Sequence, residues 1–165
     1  MGSAKQVAIM MGSQSDLPIM EEAVNVLKDF GVNYEIKVLS AHRTPKETAE
    51  YAEQLQAKGF QAVICGAGVS AALSGVVSAH TDIPVIGVPI DSSPLNGMDA
   101  LLSTVQMPPG VPVAAMAIGK PGAKNAGLFA LRIIALHDKG IAKKLAQFKE
   151  QQRRKILDTK LIDQR

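Results

Sequence analysis

Apolar runs and polar loops alternate along the chain with the rhythm of strand and helix. Gln6 to Met11 predicts a buried strand, and the loop Gly12-Ser13-Gln14-Ser15-Asp16 leads to Pro18, a residue favoured in a first helical turn. Ile19, Ala23, Val26, Leu27 and Phe30 follow at helical spacing, and Gly31 supplies the stop. The unit repeats at once. Val32, Tyr34, Ile36 and Val38 alternate as a second strand, a polar loop runs from Ser40 to Arg43, and Thr44-Pro45-Lys46-Glu47 reads as a capping box opening a helix to about Lys58. Ala62 to Cys65 predicts a third strand, followed by Gly66-Ala67-Gly68 and a helix from Ala71 to His80. A fourth strand over Pro84 to Val88 and a long loop through Pro89, Ser93, Pro94 and Asn96 precede a helix from about Gly97 to Gln106, with Leu101, Leu102 and Val105 inward. Val113 to Ile118 predicts a fifth strand, and a helix begins near Ala123.

This alternation implies an α/β fold: a parallel sheet of five strands, or slightly more, covered by helices on both faces. Right-handed crossovers then gather the loops that follow the strands on one edge, where open α/β sheets bind ligands. The polar residues fall in those loops: Ser13, Ser15 and Asp16 after the first strand, Ser40, His42 and Arg43 after the second, Gly66 to Ser70 after the third. In the last forty residues, Leu128, Leu131, Ile134, Ala135, Ile141, Leu145 and Phe148 extend helical periodicity beyond the needs of a small sheet, with a break at Asp138 to Gly140. That surplus covers either a second copy of the chain or the chain's own sheet.

Composition narrows the classes. With 165 residues, 47% of them hydrophobic and only 4% aromatic, the chain can fill one domain core with small aliphatic side chains. One cysteine excludes an internal disulfide and, with three scattered histidines, a structural zinc cluster. No apolar run approaches the roughly 18 residues of a membrane span, and no secretory segment precedes Val7, so a soluble cytoplasmic protein is expected. Residues 1–120 hold seven Lys/Arg against eleven Asp/Glu, and residues 121–165 eleven against four, so the +3 net charge is entirely C-terminal. Arg153, Arg154 and Lys155 lack interleaved aromatics and sit in a helical pattern, which favours a solvated helix over nucleic-acid binding.

The Gly12 to Asp16 turn has the small residues and hydroxyls of an anion cradle, although Asp16 would repel a phosphate and suits sugar hydroxyls or a helix cap instead. His42, in a polar loop, is a candidate proton carrier or a hydrogen-bonded loop histidine, and Arg43 could hold a carboxylate or phosphate in a fixed fork. His80 and His137 lie at helix ends, and Cys65 reads as a buried strand residue. Met107-Pro108-Pro109-Gly110 is a stiff loop, either a cover or a plain turn.

Taken together, Ile9 to Asp16, Ser40-Ala41-His42-Arg43-Thr44-Pro45, Gly66-Ala67-Gly68, Pro84 to Pro89, Leu95 to Ser103, Val105 to Pro108 and Asn125 to Leu128 resemble the N5-carboxyaminoimidazole ribonucleotide mutase family, catalytic subunits of the purine-pathway carboxylases. The resemblance covers nearly the whole chain. It implies a single catalytic domain over 1–165, of three-layer α/β/α, flavodoxin-like architecture, with 138–165 a helical extension packed on a neighbouring subunit. It further implies a cytoplasmic homo-octamer that needs no metal or organic cofactor and binds neither nucleic acid nor membrane. The implied reaction moves a carboxylate from N5 to C4 of an imidazole ribonucleotide. His42 is then the general acid/base, and the substrate-binding residues are Gly12, Ser13, Ser15, Asp16, Ser40, Ala41, Arg43, Gly66, Ala67, Gly68, Ala71 and Leu73. The Met107-Pro108 loop is the expected cover. The chain departs from the family pattern at Ala72, where a second histidine is usual, and at Ser74, where proline is usual. Those two positions resemble the sister class that carboxylates aminoimidazole ribonucleotide directly with carbon dioxide, whereas Arg43 and Gln106-Met107-Pro108 resemble the mutases. Without the second histidine, a module that only binds a sugar phosphate is a third possibility.

Overall fold

The computed structural model describes residues 6–159. The chain runs β1 (Val7–Met11), a 3₁₀ turn (Gln14–Asp16), α1 (Leu17–Phe30), β2 (Tyr34–Val38), α2 (Pro45–Glu53), β3 (Ala62–Gly68), α3 (Leu73–Ala79), β4 (Val85–Ile90), α4 (Met98–Val105), β5 (Ala114–Ala115), α5 (Gly119–Ala135) and α6 (Lys139–Leu157). All neighbouring strands pair in parallel, in the order β2-β1-β3-β4-β5. This is the flavodoxin-like order, in which the chain reverses its direction of winding between β1 and β3. β1 and β4 are buried along their whole length. Their runs without a charged or polar side chain are what a sheet covered on both faces requires.

Alternation within each strand builds two cores. Val7, Ile9 and Met11 face Met20, Ala23 and Leu27 of α1 and Ala123, Ala126 and Leu131 of α5. Ala8, Met10, Val63 and Cys65 face Tyr51, Ala52 and Leu55 on the α2 side and Leu73 and Val77 of α3. Each large side chain so enclosed contributes roughly 1.5–3 kcal/mol of transfer free energy. β2 is an edge strand, shorter than the expected one; Val32 is buried ahead of it while Ile36 and Val38 lie open. The Tyr51 hydroxyl donates to Glu35 Oε1 at 3.0 Å and ties α2 to this edge.

Several expected elements are drawn differently. The second helix ends at Glu53 rather than near Lys58, because the chain passes into turns at Gln54 with Leu55 still buried. The fifth strand shrinks to Ala114–Ala115, and the helix expected from Ala123 already begins at Gly119. Thr44 does not close a capping box. Its hydroxyl turns back into the preceding loop, accepting from the Ser40 N–H at 2.8 Å and donating to the Ser40 carbonyl at 3.1 Å. α4 is rotated relative to expectation: Leu102 and Val105 are 52% and 51% exposed, and Ala100 and Thr104 face the sheet. Small residues win that face because Gly87 of β4 leaves a notch that Thr104 Cγ2 fills, and a longer side chain would hold the helix away.

The C-terminal region divides in two. Asp138 caps α6, accepting from the N–H groups of Gly140 and Ile141 at 2.8 and 3.0 Å. The first half of α6 returns to the chain's own core. Phe148 meets Phe30 edge-on at 5.9 Å, and Lys144 Nζ donates to the Phe30 carbonyl at 2.7 Å. The second half, through Ile156 and Leu157, is exposed. Among the described residues no helix is long and apolar enough to cross a membrane.

Candidate active site

At the C-terminal edge of the sheet, where the winding reverses between β1 and β3, a cavity of about 470 Å³ opens. Its volume lies within the range of small-ligand sites. Three loops meet there, and each is built by local hydrogen bonding.

The first is the turn after β1. The capping box that sequence reasoning assigned to Thr44 forms here instead: Ser13 Oγ accepts from the Ser15 N–H at 3.3 Å, and Asp16 Oδ2 accepts from the Ser13 N–H at 3.1 Å. Ser15 Oγ donates to Ser13 Oγ at 2.9 Å, so both hydroxyls stand at the cavity wall. Asp16 is only 5% exposed. Burial pushes its carboxyl above the ordinary value of 3.8, a shift partly offset by the Ser13 N–H and by the positive charge of Arg43.

The second loop follows β2. Ser40 Oγ accepts from the Arg43 N–H at 3.2 Å and from Arg43 Nε at 3.4 Å, which folds the arginine back over its own turn. Arg43 Nη2 then donates to the Gly12 carbonyl at 2.6 Å, joining the second loop to the first across 31 residues of sequence. Ala41 and the exposed His42 line the cavity beside it.

The third wall comes from the end of β3 and the start of α3. Ala67, Gly68 and Leu73 line it, as expected, whereas Gly66 and Ala71 do not. Gly66 is a packing residue: a Cβ there would overlap the Met20 sulfur and approach Met20 Cγ to 2.9 Å and Ile90 Cδ1 to 3.1 Å. Ala71 is buried behind the wall. Eleven of the thirteen residues singled out from the sequence therefore share one cavity. Four further residues join them: Val69, held at φ +56°, Ser70, Ala72 and Ser92. Ser92 follows β4, and the rule that loops after parallel strands share one edge would have reached it; Val69 and Ser70 belong to the Gly66 to Ser70 loop already expected at this edge.

The Met107-Pro108 loop is not part of this wall. Met107 lies against α3, where its sulfur would stand 3.3 Å from a Cβ at Gly75. Cys65 is enclosed, and burial pushes its thiol up, which removes it from nucleophilic chemistry at neutral pH. His80 bonds Glu53 Oε1 through Nδ1 at 3.1 Å, outside the cavity. Among the described residues no group of three or more His, Cys, Asp or Glu is placed to hold a metal ion.

Hydroxyls, an arginine, a buried carboxylate and one histidine thus surround a pocket whose far side is mostly apolar, at Ala67, Gly68, Val69, Ala72 and Leu73. Residues 6–155 match the family model described as AIR carboxylase. The chain belongs to the AIR carboxylase family. It is 51% identical to the N5-carboxyaminoimidazole ribonucleotide mutase of Saccharolobus solfataricus, covering 94% of this chain and 98% of that protein. The protein of the same name from Pyrococcus abyssi is 54% identical, covering 90% of this chain and 84% of the relative. The crystal structure of Treponema denticola PurE superposes with a TM-score of 0.84 at 34% identity, covering 93% of this chain and 94% of that one.

Proposed function

We propose that this protein is an N5-carboxyaminoimidazole ribonucleotide mutase, converting its substrate to 4-carboxy-5-aminoimidazole ribonucleotide. The observation that carries the reading is the meeting of the Ser13–Asp16 turn, the His42–Arg43 turn and the Gly68 turn around one cavity, in a chain about half identical to curated mutases over most of its length. Ser13, Ser15 and Arg43 are assigned to the phosphate, where hydroxyls and a guanidinium fork meet an anion. Asp16 accepts from ribose hydroxyls. The imidazole ring rests on the wall of Ala67, Gly68 and Leu73.

The reaction is an isomerisation, so atoms and charge balance within the site. His42 gives a proton to N5; the N5–carboxyl bond breaks, its electron pair stays on nitrogen, and carbon dioxide is released beside the ring. C4, made electron-rich by the freed amine, attacks that carbon dioxide and forms the new C–C bond. The C4 proton then returns to His42. An imidazole can both give and take a proton, so one side chain serves in both directions. Confinement replaces affinity for the gas: a neighbour trapped beside C4 reacts as if at very high concentration. The path uses no metal or organic cofactor.

The same reading includes a cytoplasmic homo-octamer in which the exposed second half of α6 reaches a neighbouring subunit; residues 160–165 of the expected 138–165 extension lie outside the described residues. It is supported by the open apolar stripe of Met98, Leu102 and Val105 on α4 and by exposed Ile156 and Leu157 on α6. Light scattering should give a mass several-fold above the 17.4 kDa chain.

The deciding assay supplies purified protein with each imidazole ribonucleotide, with and without bicarbonate. Turnover of the N5-carboxylated substrate without bicarbonate supports the mutase. Direct carboxylation is the second reading, favoured by Ala72 and Ser74, and would instead require bicarbonate with the uncarboxylated substrate. Binding without turnover of either leaves a sugar-phosphate binding module.

A further inference from the structure

The wall beyond the ends of β3 and β4 is apolar at Ala67, Val69, Ala72 and Leu73 and carries two hydroxyls, that of Ser70 and, from the loop after β4, that of Ser92. Gly68 pairs in register with Ile90, the last residue of β4, and the chain then turns through Asp91 and Ser92. Asp91 is directed away from the cavity, its carboxylate lying beside the start of α5, where Oδ1 would stand 3.4 Å from a Cβ at Gly119. Ser92 faces the other way. Its Oγ occupies the space that a Cβ at Gly68 would need, and its Cβ and the Ile90 carbonyl crowd the same point at 3.2 Å. The missing side chain at Gly68 is therefore what admits the serine into the wall.

Among the described residues, the structure gives the exposed Ser70 and Ser92 hydroxyls no hydrogen-bond partner within the chain, whereas Ser13, Ser15 and Ser40 hydroxyls are engaged in their turns and Ser93 Oγ donates to Asp99 Oδ1 at 2.9 Å. Two unengaged hydroxyls in an otherwise apolar wall are matched to a small ligand group that is polar on one face, and Ser92 is the one packed against Gly68. The phosphate and ribose have their partners in the first two loops. The group left for this wall is the one that leaves N5 and arrives at C4.

We propose that Ser92 is a substrate-contacting residue whose hydroxyl donates to the carboxylate in transit, holding it and the carbon dioxide it becomes beside the ring. The assignment rests on the mutase reading above, and it sets specificity for carboxylated over uncarboxylated ligand. Ser92→Ala removes the donor without adding bulk at Gly68, and Ser92→Cys keeps a weaker donor in a slightly larger side chain. Ser93→Ala is the control, since that serine bonds only its own loop and Asp99.

Two measurements test it. With ¹³C-bicarbonate in solution, Ser92→Ala should raise the labelled fraction of product and the escape of decarboxylated ribonucleotide several-fold, with melting temperature unchanged, Ser92→Cys falling between. By calorimetry, Ser92→Ala should lose about tenfold in affinity for the carboxylated product ribonucleotide and little for the uncarboxylated one, the size expected for one hydrogen bond to a charged group. Wild-type labelling together with unchanged ligand preference overturns the assignment, as does an equal leak in Ser93→Ala. If the wild type turns over neither ribonucleotide, the mutase reading fails and calorimetry alone decides Ser92: lost preference upholds it as the carboxylate contact, and retained preference rejects it.

Discussion

Gly66→Ala separates a packing glycine from a substrate-contacting one. The added methyl would overlap the Met20 sulfur and stand 2.9 Å from Met20 Cγ and 3.1 Å from Ile90 Cδ1. Met20 and Ile90 are 0% and 1% exposed, so neither can move its side chain into solvent. Overpacking of such a site costs about 1–3 kcal/mol, and the enclosure on both sides places this one in the upper half of that range. At roughly 2–4 °C per kcal/mol for a chain of this size, differential scanning calorimetry should record a melting temperature about 4–12 °C lower. Met20→Ala alone should also destabilise, by about 2–5 kcal/mol, through the cavity it leaves. The two changes together should cost less than their sum by at least ~1 kcal/mol, because the new methyl then enters vacated space. Below the melting transition, kcat/KM of Gly66→Ala should stay within about threefold of wild type. Strict additivity in the cycle, or lost turnover at an unchanged melting temperature, would refute the packing account and return Gly66 to the substrate contacts.

His42→Asn should lower kcat by about 10²–10⁴ while calorimetry still detects substrate, since the proton carrier is lost and a polar group kept; unchanged turnover removes His42 from the mechanism. Arg43→Ala should raise KM about 10- to 100-fold by removing charge-assisted bonds, and Arg43→Lys should recover only part, because one ammonium cannot bond Gly12, Ser40 and a phosphate in a fixed fork. Equal KM values for the two variants would contradict this. For Asp16, burial holds the folded-state carboxyl above its ordinary value, so the folded chain binds that proton more readily than the unfolded one. Its contribution to stability is fully present at acid pH, below the ordinary 3.8, and declines as pH rises through the folded-state value. Asp16→Asn keeps an acceptor for the Ser13 N–H but removes the titration. Its melting temperature relative to wild type should therefore climb from acid toward neutral pH, and a difference independent of pH would show that the carboxyl is not desolvated.

Much of this protein is legible along the chain because its fold is built from local signals. The apolar runs at Val7 and Val85 are too continuous for a one-sided sheet, Pro18 and Pro45 open helices, and Gly31 ends one. Parallel pairing with right-handed crossovers then carries Ser13, His42 and Gly68 to one edge by topology alone. What local pattern could not decide depends on distances between elements remote in sequence. Gly66 and Gly68 stand two residues apart on one strand, yet one is closed off by Met20 from α1 and the other opens to Ser92 from the loop after β4. The face that α4 buries is set by the notch at Gly87, and Thr44 trades its cap for Ser40 because the second loop must reach Gly12 through Arg43. A residue's type limits what it can do, but which neighbour arrives against it is settled only when sheet and helices close on one another, since packing and hydrogen bonding act over a few ångströms of space rather than along the sequence.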